Sequence, residues 1–364
     1  FKDRLFYVSS TMTNNAINEL MNALLTDDTS LGQAKNQIYS TTNAFAFLKS
    51  DGSVETWGHA DNGGSSFSVV GLRPIEGEAF SKVVKVYSNE YAFAALKEDG
   101  SLVTWGDQYN NNGGGKTISA TVVKVYSTSD SFAALKSDGS VTSWGAVLAG
   151  DGFMYITPNP NNPNEKVTRI YSTRGAFAAL KADGTVETWG DRVFGGNISG
   201  DLGGGYGTSF ANEDIVGVYS NDSMFVAIKE NGSLISWGSI PDGYAYLLPP
   251  VVTDIDEGIY VAKIYSTSTA FAALWSDDSV VIWGDTDREN GDFSSFSIAG
   301  IEKIYSNYKA FAAIKTDGSV VTWGFESHGG VSANVVGLKP SGTPDSGEEE
   351  SFSKVVKIYS TSKA

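Results

Sequence analysis

The sequence predicts an all-β fold, a seven-bladed β-propeller of four-stranded blades with a short N-terminal helical segment, and three observations carry that expectation. The motif Ile/Val-Tyr-Ser recurs with its tyrosine at Tyr39, Tyr87, Tyr126, Tyr171, Tyr219, Tyr265, Tyr305 and Tyr359. The pair Trp-Gly recurs at Trp57, Trp105, Trp144, Trp189, Trp237, Trp283 and Trp323, each 18 residues after its tyrosine. From tryptophan to the next tyrosine the gap stretches from 21 to 36 residues. A fixed half joined to an elastic half, at a period of about 46 residues, marks a propeller or solenoid whose insertions fall in loops.

Each repeat resolves into strands in order. "KIYS" is a short inner strand, "AFAALK" alternates small and large residues, and "SVVTWG" is β-branched and aromatic. Asp-Gly between the last two reads as a tight hairpin turn, because glycine accepts positive φ. Asn231-Gly232 keeps that chemistry, whereas Asp277-Asp278 lacks the glycine and is expected to distort its turn. Weaker apolar runs in the elastic half, "FSVVGL" at 67–72 and "SANVVGL" at 332–338, are expected to add the fourth strand. Small residues suit the crowded axis, while Phe45, Phe93, Phe177, Phe271 and Phe311 fill the wider space between blades. The repeat tryptophans serve the same core. Burying one removes roughly 150–250 Å² from water, worth on the order of 4–6 kcal/mol as an upper figure. Trp275 replaces the usual lysine after "FAAL" and is expected to be exposed.

Two domains follow: 1–37, a strand and helix segment, and 38–364, the propeller. In the first, "NNAINELMNALLTDD" places Ile17, Leu20, Met21, Leu24 and Leu25 on one helical face, with Thr13 or Asn14 as N-cap. "RLFYVSS" before it reads as a candidate strand. In the second, seven Trp-Gly units meet eight Tyr-Ser strands, leaving a surplus inner-type strand at 355–360. It closes the ring, begins a further blade, or pairs with a neighbouring molecule, and closure or contact with the N-terminal segment is the preferred reading.

Composition narrows the function. The chain of 364 residues is 41% hydrophobic and only 19% charged, with 41 Gly, 17 Tyr, 19 Phe and 8 Trp. A net charge of −16 argues against wrapping a phosphate backbone, so nucleic acid is not an expected partner. The acidic surface suits an extracellular or cell-surface setting. Without cysteine there is no disulfide framework and no thiolate metal site. No apolar run reaches the roughly 18 residues of a membrane span, so no membrane insertion is expected. The chain begins with Phe1 and reads as a mature or excised piece of a longer protein.

A blade reading "AALKxDGxVxxWG" with a Gly-Gly loop after it resembles the regulator of chromosome condensation repeat family. The match is carried by Ala179 through Val186 with Trp189-Gly190, and by Ala95 through Gly106, and it covers about 38–364. The resemblance implies a propeller. Its members include a nucleotide-exchange factor for the small GTPase Ran, a secreted bacterial β-lactamase inhibitor and large bacterial surface proteins. The wording "IYSTxxAFAALKxDGSVVTWGD" looks most like repeats of adhesin-like surface proteins of Gram-negative bacteria. Several blades lack the Gly-Gln-Leu-Gly loop typical of the exchange factor, the nearest equivalents being Gly63-Gly64 and Gly329-Gly330. That departure, with the acidic charge, argues against chromatin binding and nucleotide exchange.

Catalytic material is thin, and the chain is read as a non-enzyme with no cofactor and no metal. His59 and His328 fall at equivalent positions after Trp-Gly, as a shared two-histidine site or as two solvated loop residues. "DTDRENGDF" offers Asp285, Asp287, Glu289 and Asp292 as oxygen donors but fails the EF-hand pattern, and reads as a solvated acidic loop. Glu348-Glu349-Glu350 reads as an exposed flexible loop. An enzyme would need paired carboxylates at the channel mouth, for which Glu90, Asp130 and Asp222 are the candidates.

The turns between the first and second strands are where the repeat diversifies. Glu90-Tyr91, Ser129-Asp130, Arg174-Gly175, Asp222-Ser223, Ser268-Thr269 and Tyr308-Lys309 would ring the channel mouth, on the face shared with the loops after Trp-Gly. Those loops add Tyr109, Phe153, Tyr155, Tyr206, Tyr244, Tyr246 and Phe325, either as binding-loop aromatics or folded back over the blade edges. The candidate binding face is therefore Glu90, Tyr91, Asp130, Arg174, Asp222, Tyr308 and Lys309, with Tyr109, Tyr206, Tyr244 and Tyr246. The leading reading is a non-catalytic binding or adhesion module for a protein or glycan ligand. The alternative is a structural subunit that self-associates through its terminal segments.

Overall fold

The computed structural model describes residues 37–361, except 68, 77–79, 108–111, 120, 147–152, 197–207, 211–213, 239–259, 285–299 and 331–354. The N-terminal helix and strand expected within 1–36, the run at 332–338 and both acidic loops, at 285–293 and 348–350, lie outside the described residues.

Among the described residues the chain is all-β, in seven antiparallel sheets of three or four strands, the number a seven-bladed propeller requires. The first sheet is β1 (Gln37–Ser40), β2 (Ala44–Leu48) and β3 (Val54–Gly58). The second is β4 (Val83–Ser88), β5 (Ala92–Lys97), β6 (Leu102–Gly106) and β7 (Thr117–Ile118). The third is β8 (Val122–Ser127), β9 (Ser131–Lys136), β10 (Val141–Gly145) and β11 (Phe153–Ile156). The fourth is β12 (Val167–Ser172), β13 (Ala176–Lys181), β14 (Val186–Gly190) and β15 (Thr208–Phe210). The last three sheets are β16 (Ile215–Ser220), β17 (Met224–Lys229) and β18 (Leu234–Gly238), then β19 (Val261–Ser266), β20 (Ala270–Trp275) and β21 (Val280–Gly284), then β22 (Ile301–Ser306), β23 (Ala310–Lys315) and β24 (Val320–Gly324). The chain divides into two compact units, one up to Asp214 with the first four sheets and one from Ile215 with the last three.

The repeat spacing is a register rule. In every sheet the phenylalanine of the middle strand stands opposite the tryptophan of the third, as Phe93 opposite Trp105, and their rings stack at 5.2–5.6 Å. The core lies between successive sheets rather than within one. Ala44, Ala46 and Leu48 of the first sheet meet Phe93 and Trp105 of the second, and Ala92 and Ala94 of the second meet Phe132 and Trp144 of the third. Small against large residues let the layers interdigitate at close-packed density. The second unit repeats the scheme, with Ala270 and Ile282 against Phe311 and Trp323.

The first sheet departs from the expectation that every repeat aromatic is buried. Phe45 and Trp57 are 45% and 46% exposed, whereas the other six tryptophans of the repeat are buried.

Three further expectations are corrected. Trp275 is buried, at 4% exposure, because an indole at the end of β20 gains by leaving water where the lysine it replaces keeps its ammonium wet. The Asp277-Asp278 turn is not distorted: Asp278 itself takes the left-handed conformation, φ 63°, and donates its N–H to Trp275 O as Gly100 does to Lys97 O. The run at 67–72 is not a strand. Gly71, at φ 85°, turns the chain so that Leu72 is buried and its carbonyl accepts from Val54 N–H, while Phe67 and Val70 stay exposed.

The surplus segment has a defined place within the second unit. Val355 N–H donates to Gly318 O at 3.0 Å, as Val83 does to Gly52, Val122 to Gly100 and Val167 to Gly139. The segment at 355–361 therefore lies beside the seventh sheet, at the place a leading strand takes, without strand conformation of its own. No ladder pairing joins it among the described residues, and Tyr359 is 81% exposed.

Candidate functional site

Each turn between leading and middle strands is built by a side-chain cap that follows Tyr-Ser. Asn89 Oδ1 accepts from Tyr91 N–H at 2.8 Å and Ala92 N–H at 2.7 Å, and Thr128, Thr173, Thr267 and Asn307 accept from their own turns in the same way. These short acceptors bend the chain at fixed offset, the mechanism by which Asn and Thr specify turns.

Neighbouring turns are then hydrogen-bonded to one another through their backbones. In the first unit Thr42 N–H donates to Glu90 O, Glu90 N–H to Ser129 O and Ser129 N–H to Arg174 O, at 2.9–3.0 Å. In the second, Asp222 N–H donates to Ser268 O at 3.2 Å and Ser268 N–H to Tyr308 O at 2.9 Å. The residue after each Trp-Gly also ties back to this row. His59 N–H donates to Asn43 O, Asp107 N–H to Tyr91 O, Asp191 N–H to Gly175 O and Phe325 N–H to Lys309 O. Turn and loop thus share one face, as the strand order implies.

Glu90, Tyr91, Asp130 and Arg174 come together in the first unit. Burial, followed by the Glu90 and Asp130 charges, pushes the Tyr91 phenol up from its ordinary value, with Arg174 opposing. Asp130 accepts from Ser131 Oγ at 3.1 Å and Thr128 Oγ1 at 3.2 Å, yet its burial pushes its carboxyl up. Arg174 is exposed at the rim. In the second unit Lys309 Nζ lies 4.4 Å from the Phe325 ring centroid, and Tyr308 lies 6.2 Å from the His328 ring. The loop aromatic Phe325 is therefore folded back against the turn. Asp222 is half-buried on its own turn.

Other sequence candidates separate from these. Ser223, Ser268 and Thr269 are buried rather than displayed. Phe153 and Tyr155 belong to strand β11 and not to a loop, with Tyr155 exposed. Tyr109, Tyr206, Tyr244 and Tyr246 lie outside the described residues. His59, beside Asp61 at 4.0 Å, belongs to the first unit; His328, whose Nδ1 is 2.8 Å from Ser327 Oγ, belongs to the second. Among the described residues no group of three His, Asp or Glu side chains could hold a metal ion.

No family model matches this chain, and no curated protein does. Several solved structures are similar at low identity. Human WBSCR16 aligns at 14% identity over 73% of this chain and 83% of its own, with a TM-score of 0.44. Prp20p from Saccharomyces cerevisiae aligns at 14% over 80% and 83%, TM-score 0.43. The CRINKLY WD40 ectodomain of the Arabidopsis thaliana receptor kinase ACR4 aligns at 15% over 80% and 95%, TM-score 0.40. Likeness this loose assigns no function, which rests on the geometry of the turns.

Proposed function

We propose that the seven sheets are the blades of one β-propeller and that the chain is a non-catalytic binding module of a cell-surface protein, recognising a protein partner through the face of linked turns. One observation carries this reading: backbone hydrogen bonds run from turn to turn while the residues they link differ at every step, Glu90, Ser129 and Arg174 in one unit and Asp222, the buried Ser268 and Tyr308 in the other. A uniform scaffold with varied, pre-ordered side chains lowers the ordering entropy of association, the main reason rigid surfaces bind well. The paired character of Tyr91 and Arg174 suits a hot spot, since aromatic and guanidinium groups dominate protein recognition. A protein and glycan array probed with the 364-residue chain tests it. Binding to a protein that is lost in Tyr91→Ala, Arg174→Ala or Tyr308→Ala supports the reading. Glycan binding alone, or protein binding that all three substitutions leave intact, refutes it.

A second reading, a self-associating structural subunit, is favoured by the exposed Phe45 and Trp57 and by the unpaired segment at 355–360, which has the sequence of a leading strand. An exposed strand edge is a ready template for another chain. Light scattering across a concentration series, with and without residues 355–364, decides it: mass that rises only when the segment is present supports assembly.

A further inference from the structure

The leading strands carry a feature that the turn face does not use. Lys85, Lys124 and Arg169 occupy the same register position on three successive leading strands, opposite Leu96, Leu135 and Leu180. Strand β4 is a neighbour of β8, and β8 of β12, with Cα atoms within 8 Å. The tyrosine two residues on fixes this spacing, since the Tyr87 hydroxyl meets the Val125 backbone and the Tyr126 hydroxyl meets that of Ile170. The same tyrosines hold the cations, with Lys85 Nζ 5.2 Å from the Tyr87 ring centroid and Lys124 Nζ 4.9 Å from that of Tyr126.

We propose that Lys85, Lys124 and Arg169 form a binding row for a compact polyvalent anion of the oligophosphate class. Like charges on adjacent strands repel, and Lys85 and Lys124 are partly withdrawn from water while Arg169 is exposed. That repulsion is a standing cost which a bound anion would remove. The Lys85 ammonium is correspondingly easier to deprotonate, through burial and the Lys124 charge, and Lys124 likewise through burial and the Arg169 charge. The tyrosine rings restrict the lysine stems in advance, so less side-chain entropy is lost on binding. Arg169 adds a planar fork that fits a terminal phosphate with two parallel hydrogen bonds. Three cations at one register of adjacent strands select a ligand that carries several linked charges, and they oppose the net charge of −16 only locally.

Titration calorimetry at low ionic strength, using inorganic tripolyphosphate, citrate, monophosphate and a tetraglutamate peptide as probes, tests the proposal. Tripolyphosphate should bind best, and raising the salt should weaken it. Lys85→Gln and Lys124→Gln should each weaken it roughly tenfold or more, Lys85→Arg should retain it, and Lys136→Gln should leave it unchanged. The glutamine variants should also melt higher than the parent without ligand, because repulsion is relieved, so failure to fold does not explain lost binding. No tripolyphosphate binding by the parent chain, equal binding by both glutamine variants, or tighter binding of tetraglutamate would each overturn the proposal.

Discussion

The Tyr87 hydroxyl meets the backbone of Val125 on the neighbouring leading strand, and this contact makes the tyrosine of the first leading strands an inter-sheet tie. Tyr39 makes the same contact with Val86, and Tyr126 with Ile170. Tyr87→Phe keeps the ring and removes the hydrogen bond, so it should destabilise by about 1 kcal/mol. Tyr359→Phe, in the exposed segment at 355–361, should change stability by less than about 0.5 kcal/mol. Urea midpoints of the two variants check the contrast.

Stability should follow pH in two opposed windows. Burial holds the Lys85 pKa down to about 8 against an ordinary 10.5, so between these values the unfolded chain binds more protons and stability rises with pH. The gain is on the order of 1–3 kcal/mol. Tyr39 and Tyr126 are pushed up to about 12 by burial, against an ordinary 10.0. Above pH 10.0 the unfolded chain releases phenol protons that the folded chain keeps, and stability falls. Denaturation curves across both windows should show a rise and then a decline. Lys85→Gln should flatten the rise and leave the decline.

Asp278 sits at φ 63° where the equivalent turns place glycine at 78–85°. Holding a branched-free but Cβ-bearing residue there costs of order 1 kcal/mol. Asp278→Gly should therefore raise the thermal midpoint, and Gly100→Asp should lower it by a similar amount. Equal midpoints for parent and Asp278→Gly would show that the Asp278 backbone carries no strain.

The tryptophans should divide by their cover. Trp144 is fully buried and its indole N–H donates to Gly113 O at 3.0 Å, so Trp144→Ala should cost about 3–5 kcal/mol. Trp57 is 46% exposed, and Trp57→Ala should cost less than half as much. Chemical denaturation distinguishes the two. Comparable losses would mean that Trp57 is covered in solution, as the self-association reading requires.

Much of this architecture was legible because covalent spacing and register are the same fact. Eighteen residues from tyrosine to tryptophan place a hairpin between them, and that hairpin sets Phe93 opposite Trp105. What escaped the sequence depends on neighbours that no single repeat contains. Lys85 in "KVYS" reads as an ordinary strand residue until β8 brings Lys124 beside it. Trp275 reads as exposed by analogy with lysine, although the physics of the position favours burying any apolar group. The strand expected at 67–72 failed because Gly71 spends its freedom on a turn. On the candidate face, the diversity of the turn residues was visible, but the hydrogen bonds linking Glu90 to Ser129 and Ser129 to Arg174 were not.

Scaffold and surface should separate by mutation at adjacent positions of one turn. Asn89 is 3% exposed, accepts from two turn N–H groups and donates through Nδ2 to Asn112 O at 2.9 Å. Asn89→Ala leaves all three groups without their partner, and each buried orphan costs roughly 1 kcal/mol or more, so a loss of about 2–3 kcal/mol is expected. Tyr91 is half-buried with its phenol beside Glu90 and Asp130 and hydrogen-bonded to the Glu90 side chain, so its side chain is tied to the displayed groups of the turns. Tyr91→Ala should cost less than about 1 kcal/mol while removing partner binding. Urea denaturation and partner affinity, measured on the same preparations, give the answer. If Tyr91→Ala lost stability as Asn89→Ala does, Tyr91 would belong to the scaffold, and recognition would have to be sought among the other displayed residues of the turns.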